Sequence, residues 1–295
     1  MRVNPYPMQD LLAELNQTQL AAQKAMIAIS TGRSVNSPSD NPAAAALEVQ
    51  NNDLTSFNEG YLQNLTTVNG QFSAADSALG SVVTSLQRAI TLGVQGATSI
   101  LSDSNRAAIA QELTGIQSQV ISLANTSYQG NYIFGGTATG ALPYDANNAD
   151  PSGVTYNGND VVNQVAIGSG YQIEVNQPGS KIFSASSNNV FLALNNLIVA
   201  VQTNTNVDTA ISSLSSAAGY LSAQRVFYGN AMNQVASQTT YLNTAKLQLA
   251  QQQNSLVGVD LPTAATTLSS AQADTQATLA AISKFSQMNL FDYLR

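Results

Sequence analysis

Neither cysteine nor histidine occurs among the 295 residues. Their absence excludes thiol chemistry, disulfides, histidine-based triads and nearly every zinc site. Charge is also scarce, with 9% of residues ionisable as Asp, Glu, Lys or Arg and a net charge of -7. Ion pairs therefore cannot be the main glue between helices, and packing with neutral hydrogen bonds must take that role. The basic residues Arg2, Lys24, Arg33, Arg88, Arg106, Lys181, Arg225, Lys246, Lys284 and Arg295 are scattered, whereas a nucleic-acid groove needs them clustered. No stretch reaches about 18 uninterrupted apolar residues, and the segment from Met1 to Asp10 lacks an apolar leader core. Neither a membrane span nor a conventional signal peptide is expected, so any export must read another signal.

What is present is a chain 44% apolar, long enough for one to three domains and a substantial core. From Met8 to Ile29 apolar residues recur at heptad spacing, with Met8, Leu15, Ala22 and Ile29 in one row and Leu11 or Leu12, then Ala25 or Met26, in the next. Thr18 and Gln19 interrupt the second row. The seam is weak, and a lone helix of this length would be marginal in water. A block of helix-ending and helix-starting residues follows from Thr31 to Ala46. Gly32 is suited to end one helix, Asp40 or Asn41 to cap the next, and Pro42 to open it.

A second helical pattern runs from about Pro42 to about Gln95, carrying Leu65, Phe72, Leu79 and Leu86 in one row and Val68, Ala75, Val82 or Val83, and Ile90 in the next. Such an element is about 75 Å long, which predicts a rod. Gly60, Gly70 and Gly80 fall inside it, and the sequence suggests a break or kink near Asn69-Gly70. Gly93, Gly96 and the segment 102–105 read as a turn with a new cap. Ile109, Leu113, Ile116, Val120 and Leu123 then mark an antiparallel return.

Composition changes at Ser127. Gln129 to Thr137 reads as a short apolar-aromatic strand in a glycine frame, followed by turn dipeptides Ser152-Gly153 and Asn157-Gly158. Strands are expected at Val154 to Tyr156, Val161 to Ile167 and Tyr171 to Val175, giving a small β insert that ends near Phe183. Helical periodicity resumes at Val190, turns at Asn204 to Asn206, and continues from about Val207 to about Gln253. A second joint at Gly258 to Pro262 precedes a last helix with Leu261, Leu268, Thr275 and Ile282 in one row. Its neighbouring row holds Ala264, Ala271 or Gln272, Leu279 and Phe285.

The resulting expectation is a mainly α protein: a long antiparallel helical rod with terminal coiled-coil helices and a small inserted β domain. Residues 1–40 with 260–295 form the terminal coiled coil, 41–128 with 187–259 the rod, and 129–186 the insert.

These residues resemble the flagellin superfamily over nearly the whole chain. The segment from Thr31 to Ala43 is similar to the family's joint signature, with Gly32, Arg33, Val35, Asn36, Asp40, Asn41 and Pro42 at matching positions. Gly130 to Gly136, Ile173 to Gly179 with Ile182-Phe183, and Asn289 to Leu294 resemble the hook-associated branch of that superfamily rather than the filament subunit. Arg225 to Ala231 resembles its arginine-containing segment on the return helix. The chain departs from the pattern at Ser39-Asp40-Asn41, where two acids are commoner, and at Tyr228, where a smaller residue is usual. The resemblance implies a structural component exported through the flagellar type III apparatus, with flagellin, a hook-side hook-associated protein, further copies of itself in a ring and an export chaperone as partners. It also implies terminal segments that order on assembly, and contacts between subunits through Leu15, Ile29, Arg33, Asn36, Asp40, Pro42, Leu268, Leu279, Ile282, Phe285, Leu290 and Phe291. A filament subunit is the alternative.

Other chemistry fares worse. Asp145, Asn147, Asn148 and Asp150 could ligate calcium, but the late bidentate Glu of a calcium loop is missing and turn formation explains them. Asp160 and Glu174 could be pictured as a glycosidase pair, yet nothing fixes their separation and solvated strand edges explain both. Tyr132 and Phe134 read as insert core. No cofactor and no enzymatic activity are expected, and neither nucleic acid nor membrane is an expected partner.

Overall fold

The computed structural model describes residues 7–98, 100–147 and 149–293, with side chains placed over 8–286. Among the described residues there are seven helices and six short strands, with all the strands between the third and fourth helices, where the composition changes. Helices α1 (Pro7–Thr31), α2 (Pro42–Gly96) and α3 (Asp103–Ala124) come first. Strands β1 (Ser127–Tyr128), β2 (Asn131–Tyr132), β3 (Tyr144–Ala146), β4 (Val154–Tyr156), β5 (Gln164–Gly168) and β6 (Tyr171–Glu174) follow. Then come α4 (Gly179–Ile182), α5 (Val190–Thr203), α6 (Val207–Val257) and α7 (Leu261–Tyr293). No helix among the described residues is long and apolar enough to cross a membrane. The chain divides into two compact units, Met1–Phe57 with Thr244–Arg295 and Asn58–Asn243.

The larger unit has one hydrophobic core. Leu65, Phe72, Leu79 and Leu86 of α2 are buried in it, as the heptad row requires, together with Leu113 and Val120 of α3, Leu194 and Leu197 of α5, and Leu214 and Leu221 of α6. The insert joins the same core through Phe134, Tyr144, Ile167, Ile182 and Phe183. Its rings pack edge-on or tilted, with Phe134 5.2 Å from Phe183 and Tyr144 4.9 Å from Phe191. Burial pushes the Tyr144 hydroxyl far above the ordinary tyrosine range, so it stays neutral against Ser184 at 3.2 Å.

The expected break at Asn69-Gly70 is absent, and α2 runs without interruption from Pro42 to Gly96. Gly70 and Gly96 admit close neighbours, whereas Gly60 has open space around it. A Cβ at Gly70 would lie 2.1 Å from the Tyr128 hydroxyl oxygen, and one at Gly96 would lie 2.9 Å from Val201. The helical cost of these glycines is offset by close approach. Arg225 passes over Gly80 to grip Asp76 with two hydrogen bonds of 2.8 and 2.9 Å, which ties α6 to α2.

The insert is three antiparallel two-stranded hairpins rather than one sheet. The single strand expected at Gln129 to Thr137 is a tight hairpin. Gln129 and Gly130 both have positive φ, 51° and 82°, the conformation that a two-residue turn needs to match strand twist. The strand expected from Val161 begins only at Gln164, because the Asn176 side chain first claims the Asn163 amide and the Val161 carbonyl. Ser102 caps α3 through the Asn105 amide, as the turn residues foretell.

Candidate assembly surface

In the smaller unit α1 packs against α7. Along α1 the covered row is Leu11, Leu15, Thr18, Ala22, Ala25 and Ile29; along α7 it is Ala264, Leu268, Ala271, Thr275, Thr278 and Ile282. Alternating steps of three and four make each row a heptad seam. Thr18, which the sequence suggests breaks the row, is buried within it, and Thr278 rather than Leu279 takes the buried position on α7. Each threonine hydroxyl donates to a carbonyl of its own helix, Thr18 to Leu15 at 3.0 Å and Thr278 to Asp274 at 2.8 Å. With the hydroxyl satisfied, threonine can serve as a small seam residue.

The two joints pair with each other. Gly32 ends α1 with φ at 71°, and the chain then runs antiparallel to the second joint through a bridge between Arg33 and Gly258. The Ser34 amide donates to the Val257 carbonyl at 2.7 Å, and the Val259 amide to the Gly32 carbonyl at 3.2 Å. Beneath them Val35, Ala44 and Val257 form a small apolar cluster. Asn41 is the cap of α2, its side-chain oxygen accepting the Ala44 amide at 3.1 Å, with Pro42 at the first helical position.

Asp40 closes the loop instead. Its carboxylate accepts the Ser37 amide at 2.9 Å, the Ser37 hydroxyl at 3.0 Å, the Asn36 amide at 3.2 Å and Lys24 at 3.3 Å. These bonds, led by the Ser37 amide, hold its pKa down to about 2. Within the chain, Arg33 and Asp40 are not partners. Arg33 reaches Glu48 on α2, whose carboxylate also accepts Gln253 at 3.0 Å, and Asn51 donates to Gln253 and to the Leu249 carbonyl, both at 2.9 Å. Sequence reasoning missed Glu48, Asn51 and Gln253. The available signal was Asn51, a polar residue two heptads before Leu65 in the row that Leu65, Phe72, Leu79 and Leu86 keep buried and apolar farther along α2.

Much apolar surface remains uncovered on this unit: Leu12, Leu20, Met26 and Ile27 on α1, Leu47, Val49, Leu54 and Phe57 on α2, and Leu279 and Phe285 on α7. Phe57 is 64% exposed. Leu20, Gln23, Lys24 and Ile27 face Ser34, Asn36, Ser37 and Asp40 across an open groove of about 470 Å³. Among the sequence-designated contact residues, Leu15, Ile29, Leu268 and Ile282 are half-buried in the seam, Arg33 and Asp40 are held in the joint, and Asn36, Pro42, Leu279 and Phe285 are exposed. Leu290 and Phe291 lie outside the described side chains. Exposed large apolar side chains are more concentrated on this unit than on the larger one.

The insert offers no comparable chemistry. Among the described residues no cluster of acidic side chains is placed to hold a metal ion. Asp150 caps its own turn, accepting the Ser152 amide at 2.8 Å and hydroxyl at 2.6 Å, and the Ser152 hydroxyl leads in lowering its pKa. Asn148 lies outside the described residues. Asp160 accepts the Ser180 hydroxyl, while Glu174 sits opposite Gln164 in the β5–β6 ladder.

Comparison with known proteins agrees with this layout. The family description "Bacterial flagellin N-terminal helical region" matches residues 4–139, and "Bacterial flagellin C-terminal helical region" matches residues 204–294. The chain is 32% identical over 189 residues to flagellar hook-associated protein 3 of Salmonella typhimurium, covering 59% of this chain and 58% of that protein. It is 27% identical over 289 residues to flagellar hook-associated protein 3 of Escherichia coli, covering 89% of this chain and 90% of that protein. A flagellar hook-associated protein structure from Vibrio parahaemolyticus superposes with a TM-score of 0.69 at 20% identity, covering 74% of this chain and all of the other, which shows a shared fold. Matched at both helical ends and similar throughout to hook-associated proteins, the chain belongs to the flagellin superfamily.

Proposed function

We propose that this chain is a structural component of the bacterial flagellum that joins the hook to the flagellin filament. The observation that carries this reading is the concentration of exposed apolar side chains on the terminal unit, around a seam whose most buried positions are small residues. The most buried seam positions are Ala and Thr and the larger Leu and Ile side chains are only half-buried, so α1 and α7 gain their stability when neighbouring subunits cover Leu12, Leu20, Met26, Leu279 and Phe285. Residues 1–40 and 260–295 are the polymerisation element, the helices over 41–128 and 187–259 are the spacer, and residues 129–186 face outward.

In this role Leu15, Ile29, Leu268 and Ile282 hold the seam, while Asn36, Pro42, Leu279, Phe285, Leu290 and Phe291 meet other subunits. Arg33 and Asp40 fix the joint from which both helices leave. The neighbours are further copies in a ring, a hook-side hook-associated protein and flagellin. Export runs through the type III apparatus, with a chaperone held by the amphipathic last helix, and the assembled protein lies outside the cell at the junction. The mechanism is geometric, since one lattice is accepted below and another offered above, and no bond is made or broken.

Seeded polymerisation tests the reading. Concentrated protein is added to sheared filament seeds with a precipitating salt and viewed by electron microscopy. Capped seeds with residual monomer are expected; filaments extended by this chain would identify a filament subunit instead.

A further inference from the structure

Two Asn-Gly dipeptides occur in the chain, Asn69-Gly70 and Asn157-Gly158. Asparagine followed by glycine is chemically labile in water, because glycine has no side chain to obstruct the approach of its own amide nitrogen to the asparagine side-chain carbon. The fold treats the two very differently. Asn69-Gly70 lies deep inside α2, where helical hydrogen bonds fix the backbone. Asn157-Gly158 follows β4 in a segment without regular structure, and Asn157 is exposed.

The structure also explains why the second dipeptide tolerates no easy substitute. A Cβ at Gly158 would lie 2.3 Å from the Tyr156 hydroxyl oxygen, and that hydroxyl is committed to the Phe134 and Asn159 carbonyls, each at 3.1 Å. Gly158 is therefore required by the aromatic packing. Asn157 donates its side-chain amide to the Asp145 carboxylate at 2.7 Å and its backbone amide to the Pro143 carbonyl at 2.8 Å, which fastens the end of β4 to β3. Both halves of the labile pair are thus held in place by contacts of the native fold.

We propose that Asn157 is a site of spontaneous deamidation, and that its product loosens the β3–β4 hairpin. The Gly158 nitrogen loses its proton and attacks Asn157 Cγ; the new C–N bond closes an imide ring while the Cγ–Nδ2 bond breaks and ammonia leaves. Water then opens the ring at either carbonyl, yielding aspartate or isoaspartate at position 157. The net change is consumption of one water and release of one ammonia. The neutral donor facing Asp145 becomes a second carboxylate, so an attraction becomes a repulsion. Isoaspartate additionally lengthens the backbone by one carbon between the Cα of residue 157 and the Gly158 nitrogen, which displaces Gly158 from its place against Tyr156.

The test is incubation of the purified full chain at mildly alkaline pH, followed by peptide mapping with mass spectrometry. A gain of one dalton is expected at position 157, at a rate about tenfold or more above that at Asn69, which the helix protects. The same chain in denaturant should convert at both positions, which calibrates the intrinsic reactivity. An unmodified Asn157 in folded protein, under conditions where the denatured chain is converted, overturns the proposal, as does equal conversion of Asn69 and Asn157 in the folded chain. For the consequence, Asn157→Asp should lose amide protection in β3 and β4 at neutral pH, and Asp145→Asn combined with Asn157→Asp should recover it. Protection unchanged by Asn157→Asp overturns the second half.

Discussion

Substitution of Leu268 by aspartate is the sharpest test of the seam. Leu268 is half-buried, so its loss removes about half of the ~2 kcal/mol that a fully buried leucine contributes. A carboxylate placed between Ala264 and Ala271 on the covered face adds a desolvation cost of about 1 kcal/mol or more. The sum, about 2 kcal/mol, is roughly a 30-fold shift toward an open α1–α7 pair. The effect should stay local, because the core of the larger unit is built entirely from residues between Leu65 and Leu242. Two measurements follow: the thermal transition of the larger unit, read by circular dichroism, should be unchanged, while incorporation into flagella of cells lacking the native protein should be abolished. Leu15→Asp, the matching position on α1, should behave alike. Normal filaments on either variant would refute the assembly argument; a collapse of the main thermal transition would refute the separation of the two units.

Arg33→Ala should cost about 1 kcal/mol, above a typical surface pair because the Glu48 carboxylate is 13% exposed and would keep only Gln253, and raised amide exchange at Ser34 and Val259 would report it. Asp40 has a depressed folded-state pKa, so its contribution to the joint is complete above the ordinary Asp value of 3.8 and is lost as pH falls toward about 2. Acid titration should therefore release the Asn36 and Ser37 amides in that window, and Asp40→Asn should remove the pH dependence. Gly70→Ala should destabilise the larger unit by about 1–3 kcal/mol in chemical denaturation by driving a methyl group into Tyr128, and Tyr128→Ala in the same chain should relieve most of the clash. Tyr228 is fully buried with its hydroxyl oxygen lacking a well-formed hydrogen bond, so Tyr228→Phe should be neutral or stabilising by about 1 kcal/mol in the same assay.

Local periodicity and turn chemistry alone determined most of this protein. Heptad spacing placed all the long helices, Gly32 and Pro42 bounded the first joint, Ser102 and Asn204 marked the interior turns, and the change of composition at Ser127 opened the insert. Such features are legible because backbone preference at each depends on a few neighbouring residues. The resemblance at Thr31 to Ala43 was legible for the same reason, being one contiguous segment. Tertiary structure decided what covers each helical row. Only the facing helix makes Thr18 and Thr278 seam residues while leaving Leu12, Leu279 and Phe285 in water, since burial belongs to pairs of elements and not to a sequence window. Likewise only the neighbouring hairpin shows that Gly70 makes room for Tyr128 instead of breaking α2, and only the end of α6, about two hundred residues away in sequence, shows that Glu48, Asn51 and Gln253 form one polar network with Arg33. Contacts at that separation leave at most a polar residue, Asn51, in line with the apolar row of Leu65 and Phe72, and nothing near it in the sequence names its partner.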